Sequence, residues 1–158
     1  MERNILLTIE YDGTNFCGWQ RQPGLRTVQG QLEQALTKVC GKEITLHGTS
    51  RTDAGVHALG QRASFRGEFG IPTDRIMLAV NNLLCGGMNV RGKCADVCIR
   101  DVREMPVDFH ARFDSKGKKY RYIIRNSGEI DVFARNYCYQ VKSPLDLAAM
   151  QEAAALIV

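Results

Sequence analysis

The stretch HGTSRTDAGVHALGQRASF, residues 47–65, sets the strongest local constraint on the chain. Arg51, Thr52 and Asp53 stand together at the start of a Gly-containing turn, and the residues that follow alternate apolar and polar as a strand requires. Two readings suit the triplet. Asp53-Ala54-Gly55 is by its chemistry a turn, because Asp bonds to backbone two residues on and Gly supplies positive φ. Charge concentrated in a loop beside a strand end is also the pattern of a site, since loops on a rigid scaffold carry much of the catalytic chemistry of proteins.

The segments on either side give this loop its setting. Residues 4–11, NILLTIEY, are β-prone and run into Asp12-Gly13, which predicts a first strand closed by a turn. In the loop that continues to Pro23, Trp19 and Arg21 read either as a stacking surface with a phosphate contact or as a core anchor beside a surface charge. Thr27 is a good N-cap, and Val28, Leu32, Ala35, Leu36 and Val39 recur at helical spacing until Gly41 ends the run. A second strand is predicted to start at 44–46 and lead into the Arg51–Asp53 loop, a third over 61–66, and a second helix from Pro72 carrying Ile76, Met77, Val80, Leu83 and Leu84. A fourth strand over 95–102 completes βαββαβ, an α+β, ferredoxin-like arrangement with both helices on one face of an antiparallel sheet. FHARF (109–113), strands over 118–126 and 136–141, and a helix from Pro144 with apolar residues on more than one side follow. The predicted domains are therefore 1–108, a catalytic half, and 109–158, the beginning of a second half.

Composition narrows the function classes. At 158 residues, 44% apolar and 24% charged, the chain has the make-up of a soluble globular protein of one domain or somewhat more. A net charge of +4 permits a nucleic-acid partner without demanding one. The six cysteines form no CxxC pair and the three histidines are scattered, so the spacing argues against a structural metal, and scattered thiols suit a reducing cytoplasm. The apolar run over 5–9 is too short for a signal sequence or a membrane span, so a cytoplasmic protein without membrane contact is expected.

Residues 47–65 resemble the catalytic motif of the TruA family of tRNA pseudouridine synthases, G-x-G/S-R-T-D-A-G-V-H-A-x-G-Q followed by an aromatic-ended strand. Residues 11–22 resemble that family's opening pattern YDGTxFxGWQxQ, Lys118-Lys119-Tyr120 its K-x-Y signature, and Phe109, His110, Ala111, Arg112 and Phe113 its RNA-binding pentapeptide. The resemblance implies an isomerase that converts uridine to pseudouridine in the tRNA anticodon stem-loop, at tRNA nucleotides 38, 39 and 40, as a homodimer. It implies no metal or redox cofactor. Asp53 then supplies the carboxylate, adding to the uracil ring or acting at the ribose, and Arg51 is the base-flipping residue. Thr52 is read as orienting the loop, while the resemblance makes Tyr120 the ring that stacks on uracil and a candidate for proton removal at C5, and leaves Tyr122 a packing role. The plain alternatives are an Arg51–Asp53 surface pair and a half-buried strand tyrosine at 120.

Two departures stand out. Residues 85–93 look like an insertion that either reaches RNA through Arg91 and Lys93 or lengthens a connection. The chain also ends where the family would continue to a further catalytic Arg, so the resemblance implies an N-terminal portion inactive by itself. The rival from another class is a non-catalytic RNA-binding module with an RRM-like sheet. Residues 61–66 lack the aromatic pattern that such a module carries on its third strand. A third possibility is a structural domain that retains the motif without activity.

Overall fold

The computed structural model describes residues 1–86 and 95–157, which form three α-helices, a four-stranded antiparallel sheet and a separate two-stranded ribbon. Of the insertion expected at 85–93, residues 87–93 lie outside the described residues. The chain divides into two compact units, Met1–Lys116 and Gly117–Val158.

The first unit is built on β1 (Arg3–Tyr11), whose alternation places Ile5, Leu7, Ile9 and Tyr11 in the core. β3 (Ala58–Gly67) pairs antiparallel along one edge of β1 and β4 (Val97–Met105) along the other, while β2 (His47–Gly48) adds to β3, giving the order β2-β3-β1-β4. Helix α1 (Val28–Cys40) starts where Thr27 accepts a hydrogen bond from Gly30 N and ends at Gly41, whose φ of 71° supplies the left-handed cap. α2 (Thr73–Leu84) begins after Pro72 with Asp74 in its first turn. Val28, Leu32 and Leu36 of α1 and Ile76 and Val80 of α2 join the odd-numbered residues of β1 in one buried cluster, where each side chain contributes about 1.5–3 kcal/mol. Both helices therefore serve the face of the sheet that carries Ile5, Leu7 and Ile9.

The second strand differs from its expected place. It starts at His47 rather than at 44–46, because α1 side chains take the hydrogen bonds a ladder would have used. The Ile44 amide donates to Thr37 Oγ1, the Leu46 amide to Glu33 Oε1, and the Leu46 carbonyl accepts from Gln29 Nε2. Glu33 is only 4% exposed, and its second oxygen is met by Arg21 at 3.1 Å. A helix-to-loop polar grip thus delivers the chain to β2 with its backbone satisfied.

The other face of the sheet is polar. Thr8 pairs with Arg62 and Asp101, and Leu6 with Ser64 and Arg103, so these residues share that face, and His47, opposite Ser64, extends the row. Asn4, fully buried, donates to the carbonyls of Pro106 and Phe109 at 2.8 and 2.7 Å. The stretch after β4 is thereby pinned where β1 begins.

In the second unit β5 (Ile124–Asn126) and β6 (Tyr139–Val141) pair in parallel, and α3 (Leu147–Ala155) is capped by Asp146, which accepts from Ala149 N. The strand expected over 118–126 is thus confined to its last three residues, and the helix expected from Pro144 starts at Leu147. The Tyr139 amide donates to the Ile123 carbonyl at one end of the ribbon, and the Asn126 side-chain amide to the carbonyls of Val141 and Ser143 at the other. None of the α3 side chains is buried, in keeping with its apolar residues lying on more than one side. No helix among the described residues is long and apolar enough to cross a membrane.

The α1 grip yields a prediction. Glu33→Ala leaves the Leu46 amide without its acceptor in a buried setting and should cost about 2–3 kcal/mol, read as a lower urea midpoint with unchanged m. An unchanged midpoint would show the grip to be dispensable.

Candidate active site

The loop between β2 and β3, residues 49–57, is held by its neighbours at almost every step. Thr49 N donates to the Arg62 carbonyl, and Gln61 Nε2 to the Ser50 carbonyl at 2.7 Å. The Thr52 carbonyl accepts from Trp19 N at 3.0 Å, and its hydroxyl lies 2.8 Å from the Tyr11 hydroxyl. Val56 N donates to the Asp53 carbonyl, closing a turn whose third residue, Gly55, has φ of 79°. His57 Nδ1 accepts from Gly13 N at 3.2 Å and lies 3.1 Å from Asp12 Oδ1. These contacts tie the end of the 49–57 loop to residues of the opening loop.

Two glycines of that opening loop make the approach possible. A Cβ on Gly13 would stand 2.0 Å from the Val56 carbonyl oxygen, and one on Gly18, at φ of 82°, 2.6 Å from that of Thr52. Only residues without a side chain bring the two backbones this close. Trp19 is 2% exposed and lies against Gly48, so of its two readings the core anchor is the observed one. Arg21 pairs with Glu33.

The two readings of Asp53 separate on one detail. The turn is closed by the Asp53 carbonyl, and among the described residues the carboxylate makes neither hydrogen bond nor ion pair. Arg51 is exposed and likewise unpaired among the described residues, so an Arg51–Asp53 surface pair is not observed. Between them Thr52 is tied inward. The carboxylate is therefore surplus to the turn's construction.

The FHARF strip belongs to the first unit. Ala111 is buried, its amide donates to Ser64 Oγ at 3.1 Å, and its carbonyl accepts from the Thr49 hydroxyl at 3.1 Å. Arg66 reaches the Phe109 carbonyl. The strip thus crosses the polar face of the sheet and meets the 49–57 loop at Thr49, two residues before Arg51. The His110 ring sits between His47, at 5.2 Å between centroids, and Phe113, at 4.4 Å. Phe113 is 78% exposed and Arg112 is exposed. Tyr120 is in the second unit, 64% exposed; Tyr122 is 91% exposed, so the packing role expected of it is not observed. Among the described residues no three His, Cys, Asp or Glu side chains are grouped as a metal site requires.

A family model described as tRNA pseudouridine synthase matches residues 7–114, a range that contains both loops and the FHARF strip. The chain belongs to this family. Relatives called tRNA pseudouridine synthase A include those of Caldicellulosiruptor bescii, 47% identical over 96% of this chain and 58% of the relative, and Geobacillus sp., 46% identical over 99% and 60%. The relative of Halalkalibacterium halodurans is 43% identical over 99% of this chain and 56% of its own length. The chain thus spans somewhat under two thirds of the length of these synthases.

Reading the sequence of this family member alone missed Tyr11, Ser64, Arg66 and His47 as supports of the site. Tyr11 had a signal, an aromatic residue on the core side of β1 immediately before the Asp-Gly turn. His47 had none, because its contact with His110 spans 63 positions of sequence and depends on the strip's path.

Burial holds the His110 imidazole below the ordinary histidine range, with the charges of His47 and Arg66 acting in the same direction and Asp114 opposing them. A depressed value in the folded chain means that this group's stability contribution is present above the unfolded value of 6.5 and is lost as pH falls through the folded one. An NMR titration should find His110 below 6.5 and His47→Ala should raise it. A wild-type value at or above 6.5 would contradict the balance of burial and charge described for this ring.

Proposed function

We propose that these residues carry the catalytic loop of a tRNA pseudouridine synthase that isomerises uridine in the anticodon stem-loop, at tRNA nucleotides 38, 39 and 40, with Asp53 as nucleophile. The observation that carries the reading is the spare carboxylate, exposed on a loop whose backbone is fixed by other groups. The reaction breaks the bond between N1 and C1′, turns the base, and joins C1′ to C5. The proton leaves C5 and N1 ends protonated, so the atoms balance within one nucleotide. Asp53 adds to the ring or acts at C1′, and either route asks for an ionised carboxylate without competing partners.

Arg51, exposed two residues before Asp53, suits the task of bracing the space left by an extruded nucleotide. In this reading Tyr120 stacks on the uracil and removes the C5 proton, and Phe109 through Phe113 contact the RNA. The exposed Phe113 and Arg112 beside the His110 ring support that contact, since loop RNA is recognised by stacking and charge together. The order of elements in the first unit and the strand order β2-β3-β1-β4 support a ferredoxin-like arrangement. A homodimer in the cytoplasm completes the reading, and the apolar exposure of Phe133 and Leu156 in the second unit is consistent with a covered surface. An RNA-binding module without activity accounts for the strip but leaves the fixed loop and its carboxylate without a use.

In the full-length enzyme Asp53→Asn should lower pseudouridine formation by at least about 10⁴-fold while tRNA affinity stays near wild type, because the substitution removes charge and hardly alters volume. Nucleoside analysis of reacted tRNA reads the outcome. Wild-type turnover would remove Asp53 from the mechanism.

A further inference from the structure

Tyr11 is the last residue of β1 and only 3% exposed. A phenylalanine would fill the same core position, so the hydroxyl needs a reason of its own, and a buried tyrosine hydroxyl finds a partner. Thr52 Oγ1 is such a partner, 2.8 Å away and 41 residues along the chain. Thr52 is the residue between Arg51 and Asp53, and its carbonyl is already held by Trp19 N at 3.0 Å. One residue is thus fastened through side chain and main chain, both times by the segment 11–19, and its two exposed neighbours point to solvent as a result.

We propose that Tyr11 is a positioning residue for the reaction: its hydroxyl, acting through Thr52, sets the direction in which Arg51 and Asp53 leave the loop. The inference rests on the proposed activity and adds to it a residue outside the catalytic motif. Its chemistry is geometric. Tyr11 touches no reacting atom; it removes from Thr52 the freedom to rotate, and with it the freedom of the flanking carboxylate to leave the attack direction. Losing that restraint acts on the transition state more than on tRNA binding, because in the proposed reading Arg51 and Asp53 act on the extruded nucleotide and the FHARF strip contacts the RNA.

The experiment compares Tyr11→Phe, Thr52→Val, the double variant and Thr52→Ser in the full-length enzyme. Each of the first two should lower kcat about 10- to 100-fold, the loss expected when a reacting group is misplaced by about an ångström. KM for tRNA should move less than about twofold if the effect is confined to orientation. The double variant should be no worse than either single one, since both remove the same hydrogen bond. Thr52→Ser, which keeps the hydroxyl, should recover most of the kcat lost in Thr52→Val. Wild-type kcat in Tyr11→Phe, or losses that multiply in the double variant, would overturn the inference. A second readout separates its failure from that of the activity. If the wild-type enzyme forms no pseudouridine, the activity falls, and Tyr11 is judged by amide exchange over 53–56. There Tyr11→Phe raises the rate about tenfold if the restraint is real and leaves it unchanged if it is not.

Discussion

The contact on which the rest of the site depends is the close approach of two backbones, residues 13–19 of the opening loop and residues 52–56 of the loop after β2. Gly13 meets the Val56 carbonyl, Gly18 meets the Thr52 carbonyl, and the Trp19 amide and Tyr11 hydroxyl bind Thr52. Fixing a loop costs roughly 1–2 kcal/mol of conformational entropy per residue. Here that cost is offset by hydrogen bonds and contacts that spare the Arg51 and Asp53 side chains. A carboxylate that had to build its own turn would arrive at substrate already bonded. This one does not.

The sheet explains how the two loops come to meet. β1 and β3 are antiparallel neighbours with Tyr11 opposite Ala58, so the exit of one and the entry of the other lie at the same end of the sheet. The helices occupy one face, and the strip 109–113 lies across the other, tied by Asn4, Ser64 and Arg66. Thr49 links that strip to the loop. Polar and basic groups therefore gather on the face without helices, which is the setting the proposed RNA contact would use.

Much of this was legible in the sequence where the signals are local. The alternation of 4–11, the Thr27 cap, the apolar spacing of α1 and the Gly41 stop specify their elements within a few residues. The loop motif and the strip at 109–113 stand out as sequence patterns. What the sequence hid was non-local. The second strand starts later than expected because buried Glu33 and Gln29 took its first backbone partners, and nothing in the spacing of α1 reveals what its polar residues will grip. Trp19 offered two readings that burial alone could separate. The strand expected over 118–126 pairs only at 124–126, since the β propensity of its tyrosines and isoleucines provides no partner. The restraint of Thr52 by Tyr11 is a contact between distant positions and left no periodic trace.

The claim that backbone proximity, rather than any bond made by Asp53, sets the geometry of the site is tested most directly by Gly18→Ala in the full-length enzyme, followed by pseudouridine formation and cooperative unfolding together. The added methyl would stand 2.6 Å from the Thr52 carbonyl oxygen at a φ that L-residues disfavour, so the two loops must part. The account predicts a protein that still unfolds cooperatively, binds tRNA, and has lost turnover by about 100-fold or more. A folded Gly18→Ala enzyme with wild-type turnover would contradict it.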